Sequence, residues 1–452
     1  MKIGVVYPFS SIAPFHIEIY DALTNVIYET ARRLAADHEV VVYPRWEKGQ
    51  PVDEDLEGFH VHRVSDQLDR RLTRLKLTRM LGFKHFSSRK NPFASTSLFY
   101  HNFARKVAAD IARRKLEIVH VHCVETLIPV IRRHAPDAKI VLHCHDHALA
   151  DYTSENVKNM VRQADAVIGC SDFVTREIAS NYPEIEGRFR TFYNGVDRRY
   201  LEIESCPGRS ETISFVGRMS PEKGIDVLLD AFALVSRGRS ACRLELVGPF
   251  DVGTRPFVDP HGSDPVLAEA AAYLAQPRSY VEHLTSRIDE MEGVRYLGKI
   301  PNADLTAHYA KLAAFVFPSL WHEPFGIPII EAMAAGIPVV ATRGGAFPET
   351  VDDGETGFLV NRGDAAALAA ALGQLLDHPE LRQRMGERAR RRVRSHFTWD
   401  RQVERLSALY EELLSASPRA SPAFRTAPQA SSPNDPKQEL AERGTRTKAT
   451  VH

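Results

Sequence analysis

Short runs of β-branched and aliphatic residues recur along this chain, each followed by a stretch whose apolar residues return at helical spacing, and the rhythm starts twice. Ile3–Tyr7, stopped by Pro8, leads into a helical pattern over Asp21–Ala36; the runs His38–Tyr43, Ile118–Val121, Ile140–Leu142 and Ala166–Gly169 follow. Strands buried on both faces read as continuous apolar runs, and helices between them are the crossovers that a parallel sheet requires. The pattern restarts at Thr212–Val216 and continues through Leu244–Val247, Val294–Leu297, Ala314–Pro318, Pro338–Ala341 and Gly357–Val360. It predicts an α/β chain of two doubly wound, Rossmann-like domains with a ligand held in the cleft between them.

A length of 452 residues suits two ordinary domains. The turn signal Tyr193-Asn194-Gly195-Val196-Asp197 and the polar stretch to Glu211 mark the hinge, giving a first domain over 1–197 and a second over 198–395. Trp399–Leu414 carries Val403, Leu406, Leu409, Tyr410 and Leu413 at helical spacing. It is expected to pack on a domain face, with the first domain a candidate partner. The remainder, 415–452, is rich in Pro, Ser, Ala and charge, the composition of a disordered tail.

Lys plus Arg equals Asp plus Glu at 58 each, which removes any global electrostatic argument for nucleic acid as partner. The five cysteines are scattered, odd in number and free of C-x-x-C pairs, against both a disulfide framework and a zinc site and in keeping with a reducing cytoplasm. The N-terminus lacks the h-region and cleavage site of a signal peptide, and no run approaches the ~18 apolar residues of a membrane span. The expectation is a protein neither exported nor membrane-spanning.

The chemistry concentrates in the second half. Gly217-Arg218 follows a predicted strand and Lys223 stands at the start of the next helix, so both cations can converge on one anion beyond the strand ends; two solvated surface charges are the alternative. In Trp321-His322-Glu323-Pro324-Phe325-Gly326-Ile327-Pro328-Ile329-Ile330-Glu331, the prolines and Gly326 make Glu323 a loop residue and Glu331 a helix residue. A loop carboxylate ahead of a helix can reach a sugar, and one on the helix can accept both hydroxyls of a ribose. The amides around Phe325, Gly326 and Ile327 would meet a phosphate. Glu331 inside an apolar helix is costly unless it is paired or bound. Gly344-Gly345-Ala346-Phe347-Pro348-Glu349 is either a ligand-approaching loop or a plain turn.

Taken together, the Gly-Arg…Lys-Gly turn, the Glu-x7-Glu block and the Gly-Gly…Pro-Glu…Gly-x-x-Gly-Phe-Leu-Val run resemble the family 4 glycosyltransferases, over about residues 1 to 414 and densely from Ile213 to Val360. The resemblance implies the two-domain GT-B fold, a retaining hexosyltransferase, a nucleotide-sugar donor, and neither cofactor nor obligatory metal. It implies that Arg218 and Lys223 bind the diphosphate, Glu331 the ribose and Glu323 the donor sugar. In the first domain, Ile140-Val141-Leu142-His143-Cys144-His145-Asp146-His147 ends a predicted strand, and His145-Asp146 looks like the family's His-Asp pair, whose histidine would contact the donor sugar and help order the acceptor. Alternation along a strand also makes His143, His145 and His147 a candidate metal triad.

One departure stands out. Where the family carries paired glycines after the first strand, this chain has Phe9-Ser10-Ser11-Ile12-Ala13-Pro14-Phe15-His16. Ser10, Ser11 and His16 can offer side-chain contacts to donor or acceptor instead. Asp53-Glu54-Asp55 has the D-x-D spelling of metal-dependent transferases but reads as a solvated loop. Arg63–Lys90 holds nine Lys or Arg against two Asp with apolar residues interleaved, either an acceptor-side loop or a peripheral contact with the inner membrane face. The donor is expected to be a UDP-sugar, and the acceptor a glycan, lipid-linked or small molecule of cell-surface or exopolysaccharide synthesis. A nucleotide-sugar epimerase and a catalytically degenerate sugar-nucleotide-binding module are the competing readings.

Overall fold

The computed structural model describes residues 1–9, 22–74, 99–152, 154–204, 210–251, 264–274 and 276–416. Ser10, Ser11, His16, the basic stretch beyond residue 74 and the tail from residue 417 lie outside them. The first sheet has eight strands: β1 (Lys2–Tyr7), β2 (Glu39–Pro44), β3 (Asp53–Leu56), β4 (Phe59–His62), β5 (Ile118–His122), β6 (Lys139–Cys144), β7 (Ala166–Gly169) and β8 (Phe189–Thr191). Their order is β3-β4-β2-β1-β5-β6-β7-β8, parallel except for β3 against β4. The second sheet is parallel throughout: β9 (Thr212–Val216), β10 (Arg243–Val247), β11 (Val294–Gly298), β12 (Ala314–Phe317), β13 (Val339–Thr342) and β14 (Gly357–Val360), ordered β11-β10-β9-β12-β13-β14.

Side chains alternate across each strand, so one apolar run feeds two cores. In the first sheet Val6, Val119, Val121, Ile140 and Leu142 enter one cluster, while Ile3, Val5, Ile118, Val141 and Ile168 enter another on the opposite face. The second cluster is closed by the helix Ala22–Leu34 and by the last helix, Trp399–Ser415, which buries Trp399, Val403, Leu406 and Tyr410 there. The chain therefore visits the second sheet and returns. The two crossings touch: the Val196 amide donates to the Phe397 carbonyl at 2.8 Å, and a Cβ on Gly195 would lie 2.5 Å from the Trp399 nitrogen. Only glycine lets these strands of chain pass so closely.

Each sheet reverses its winding at one point, between β1 and β5 in the first and between β9 and β12 in the second. Ligands in such sheets bind beyond the carboxyl ends of the strands at that reversal.

Asp53-Glu54-Asp55 is not a loop. It forms edge strand β3, joined to β4 by the two residues Glu57 and Gly58, both at positive φ (43° and 93°), the geometry of a type I′ hairpin. His60 and His62 partner Asp53 and Asp55 across the strands, which gives an exposed, charged edge its stability. Arg63, counted above among the basic stretch, is 2% exposed and bonds Glu54 at 2.5 Å, and Arg70 pairs with Asp66 at 3.0 Å. Arg63 serves the fold and is not presented to a surface, whereas Arg70 keeps 38% of its side chain exposed while it pairs with Asp66. No helix among the described residues is long and apolar enough to cross a membrane.

Candidate active site

The turn after β9 and the loop after β12 meet at the second sheet's reversal point. Ser220 to Lys223 form a tight 3-10 turn closed by Gly224 at φ 71°, where a Cβ would sit 2.2 Å from the Pro318 carbonyl oxygen. That approach sends Lys223 inward. Its Nζ lies 2.5 Å from Glu323 Oε1, and Ser319 Oγ donates to the same oxygen at 2.8 Å. Both charged side chains are nearly buried, at 8% and 6% exposure. The ammonium also stands 5.2 Å over the Trp321 ring and 5.7 Å over Phe317. Gly345 completes the wall, since a Cβ there would lie 2.1 Å from the Glu323 carbonyl oxygen.

Arg218 is farther out, with 38% of its side chain exposed. It reaches Glu222 Oε1 at 3.2 Å, an oxygen that also accepts from Ser220 Oγ at 2.6 Å. Gly217 packs its carbonyl against Gly248, whose φ is 134° and whose added Cβ would come within 1.8 Å of it. Phe325 turns its ring into the hinge core, 6.1 Å from both Tyr193 and Phe397, which leaves only its backbone for a ligand. Gly326, at φ 86°, begins the helix Ile327–Ala334.

The first domain supplies the facing wall. Cys170 Sγ lies 3.6 Å from both the His145 and the Pro324 carbonyl oxygens, so the strand end bearing His145 abuts the Glu323 loop. The His147 ring is 5.6 Å from Trp321, and Phe173 stacks on His322 at 5.7 Å. Glu349 locks this side: its carboxylate accepts from the Asp172 amide at 2.8 Å and the Phe173 amide at 2.6 Å, at the start of the helix Asp172–Ala179. Burial raises the Glu349 carboxyl above its usual range, and the two amides work against that. Asp146 points back to its own loop and accepts from the Ala148 amide at 2.8 Å.

His145 has company that the sequence pattern did not reveal. His120 and His122 on β5 share a face with His143 on β6, because His122 is in register with His143, and His145, just past the end of β6, continues the row. The four rings form a stripe: His143 and His145 lie 3.9 Å apart, His120 and His122 4.4 Å, His122 and His145 5.1 Å. His122 Nδ1 is 2.9 Å from His145 Nε2, His120 Nε2 is 3.1 Å from His143 Nδ1, and His120 Nδ1 is 2.6 Å from the Tyr410 hydroxyl. Burial pushes the pKa of His120 and His145 down to about 3, and holds His122 and His143 well below 6.5. His147, grouped with His143 and His145 on strand spacing, stands apart from the stripe against Phe173 and Trp321, because by then the chain has turned off the strand and His147 is the N-cap of the short helix Ala148–Asp151.

Glu331 is not unpaired in its helix. It accepts from the Tyr309 hydroxyl at 3.1 Å, with Tyr200 and Arg199 beside it, and burial nonetheless pushes its pKa up to about 7. It opens on a cavity of about 280 Å³ shared with Tyr28, Arg199, Tyr200 and Asn302, a cavity that neither Lys223 nor Glu323 lines. The structure thus brings together Lys223, Glu323 and the His145 strand end, and sets Glu331 in a neighbouring recess. Ser319, Cys170, Tyr200, Tyr309 and the two β5 histidines are additions to the sequence-derived set. Only the histidines left a signal, the matching His-x-His spelling in His120-Val121-His122 and His143-Cys144-His145.

Two doubly wound domains joined by paired crossings, with an acidic and a basic side chain fixed at the second sheet's reversal point, are the architecture of GT-B glycosyltransferases. Residues 198–392 match the family model described as glycosyl transferases group 1, and residues 23–200 match that described as glycosyltransferase family 4. The chain belongs to the family 4 glycosyltransferases. It is 25% identical over 329 residues to spore coat protein SA of Bacillus subtilis, an alignment covering 69% of this chain and 82% of that protein. It is 35% identical over 270 residues to the D-inositol 3-phosphate glycosyltransferase of Streptomyces avermitilis, covering 58% of this chain and 54% of that one, so it spans only about half of that relative. In fold it resembles Anabaena Alr3699/HepE, solved in complex with UDP and glucose, with a TM-score of 0.62, 18% identity, and coverage of 91% of this chain and 99% of that one.

Proposed function

We infer that this glycosyltransferase moves a hexosyl group from a UDP-sugar to a glycan, lipid-linked or small-molecule acceptor of cell-surface or exported polysaccharide synthesis, with retention at the anomeric carbon and without a metal on the diphosphate. The observation that carries the reading is the buried Lys223–Glu323 pair at the sheet's reversal point. A buried ammonium is costly, and its placement beyond the strand ends suits an incoming anion.

On this reading Lys223, Arg218, the Gly217 turn and the backbone from Phe325 to Ile327 receive the diphosphate. Its departure builds charge on the β-phosphate, and fixed cations there favour the transition state over the ground state. Glu323, released from Lys223 as the phosphates take over the cation, accepts from a sugar hydroxyl. His145 approaches the sugar from the facing wall, with Asp146 shaping its loop. The acceptor attacks on the face from which the diphosphate leaves, and the leaving phosphate takes its proton. Glu331 receives the ribose hydroxyls. The UDP preference draws support from the nucleotide in the Anabaena structure.

A thermal-shift series with UDP-, GDP- and ADP-sugars, with and without magnesium, tests the donor, because a ligand that binds only the native state raises the melting temperature. A magnesium-independent rise with the UDP series supports the reading. No rise with any donor favours the degenerate binding module, and conversion of the donor sugar without acceptor favours the epimerase. Co-sedimentation with anionic vesicles tests whether the Arg63–Lys90 stretch brings the enzyme to a lipid-linked acceptor.

A further inference from the structure

The histidine stripe under the C-terminal helix holds more imidazole than packing explains. His120, His122 and His143 are buried to 1% exposure or less, with no carboxylate among them. Two of their nitrogens, His122 Nε2 and His143 Nε2, are buried without any hydrogen-bond partner. Buried polar atoms are normally satisfied, so two such atoms in one cluster call for an explanation. One nitrogen from each of the three residues lies within 4.8 Å of the other two. Tetrahedral zinc with Zn–N near 2.0–2.1 Å needs nitrogens about 3.4 Å apart, so movements of about 1 Å in side chains would close the set.

The geometry points to a transition-metal site of zinc or copper type at His120, His122 and His143, separate from the diphosphate clamp of the second domain. The chemistry of the donors fits: imidazole alone, without oxygen ligands, selects zinc, copper or nickel over magnesium or calcium. Burial keeps these rings neutral, the form that binds metal. The outer nitrogens are already held, His120 Nδ1 by the Tyr410 hydroxyl and His122 Nδ1 by His145. Such partners orient ligating imidazoles. An ion on His122 Nε2 would place that ring's proton on Nδ1, where it donates to His145 Nε2. The metal would thereby fix which nitrogen of His145 faces the cleft.

The other histidine cluster has no comparable need. On the β3–β4 hairpin Asp53, His60 and His62 are solvent-accessible, and His60 Nε2 and His62 Nδ1 lie 3.0 and 2.6 Å from Asp53 Oδ1, so ordinary His–Asp pairing accounts for them.

The full chain, stripped with chelator and titrated with Co²⁺, provides the test. We expect one equivalent to bind, with the visible ligand-field absorption of a nitrogen site, and Zn²⁺ to displace it and raise the melting temperature. His122→Asn and His143→Asn should each abolish that absorption, while the doubly substituted His60→Ala, His62→Ala chain keeps it. Anomalous diffraction at the zinc edge from the unsubstituted protein should place the ion between His122 and His143, a readout that does not depend on either variant folding. Absence of binding, absorption that survives both stripe variants, or an ion located on the hairpin would each overturn the assignment.

Discussion

At the residue scale, Lys223 and Glu323 illustrate how a stabilising contact and a functional one compete for the same atoms. Removing one member of a buried pair leaves the other charged and alone, at a cost of about 3–5 kcal/mol. Lys223→Ala should therefore lower stability sharply, and adding Glu323→Gln should recover most of it. Donor binding should stay absent in both, measured by calorimetric titration with UDP-sugar; binding restored in the double variant would remove Lys223 from the diphosphate. Glu331 gives a pH dependence of definite sign. Burial pushes its pKa up to about 7, and the ionised carboxylate accepts from both ribose hydroxyls more strongly than the protonated carboxyl does. Donor affinity should rise as pH increases through 7, and Glu331→Gln should flatten that profile. An unchanged profile in the variant would show that the titrating group is elsewhere.

At the scale of elements, most of the sheet scaffold was readable from sequence because its strands are buried on both faces and are spelled as unbroken apolar runs. Ala166–Gly169, Thr212–Val216 and Gly357–Val360 have the bounds expected. The hairpin of β3 and β4 was not legible, since its stability comes from Asp53 and Asp55 meeting His60 and His62 across an exposed edge, and that spelling is shared with solvated loops. The site divided the same way. Lys223 and Glu323, though 100 residues apart in separate motifs, could be assigned to a common region through the family resemblance, but the pairing of His122 with His145 depends on strand register, which no local pattern encodes. The last helix adds a long-range partner of the same kind. Tyr410→Phe removes the hydroxyl that meets buried His120, and an unsatisfied buried nitrogen costs about 1–3 kcal/mol. A drop of that size in urea-unfolding free energy is expected; a neutral substitution would mean that His120 finds another partner.

On the scale of the whole molecule, closure and acid sensitivity both follow from buried groups. Glu349 joins the domains by accepting two amides at a helix start, so Glu349→Gln should loosen the closed form and weaken donor binding by roughly ten- to a hundredfold, in line with a charged hydrogen bond of about 1.5–3 kcal/mol. Small-angle scattering should show a larger radius of gyration, and an unchanged one would argue against the latch. For pH, the histidines decide the sign. His120 and His145 fall to about 3 and the other two lie well below 6.5, so the unfolded chain binds protons that the folded chain refuses. Their contribution is complete above 6.5 and is lost as pH falls below it. Glu125 and Glu331, raised to about 7, act oppositely between 4.5 and 7, as do the raised Glu349 and Asp66, while His308, lowered to about 4, and His322 add to the four imidazoles, so six histidines outweigh four carboxyls. The melting temperature, measured in chelator, should decline from pH 6.5 to 4.5, and a level curve would contradict this account.

The return of the C-terminal helix to the first domain also sets an order of assembly during synthesis. His120 acquires its hydroxyl partner 290 residues after it is made. On a ribosome adding about 5–20 residues per second, that is a delay of roughly 15–60 s. For that interval the nascent first domain carries an uncovered apolar face beside Ala22–Leu34 while the second domain is still being translated. An apolar face left bare for that long is aggregation-prone until the last helix emerges to cover it.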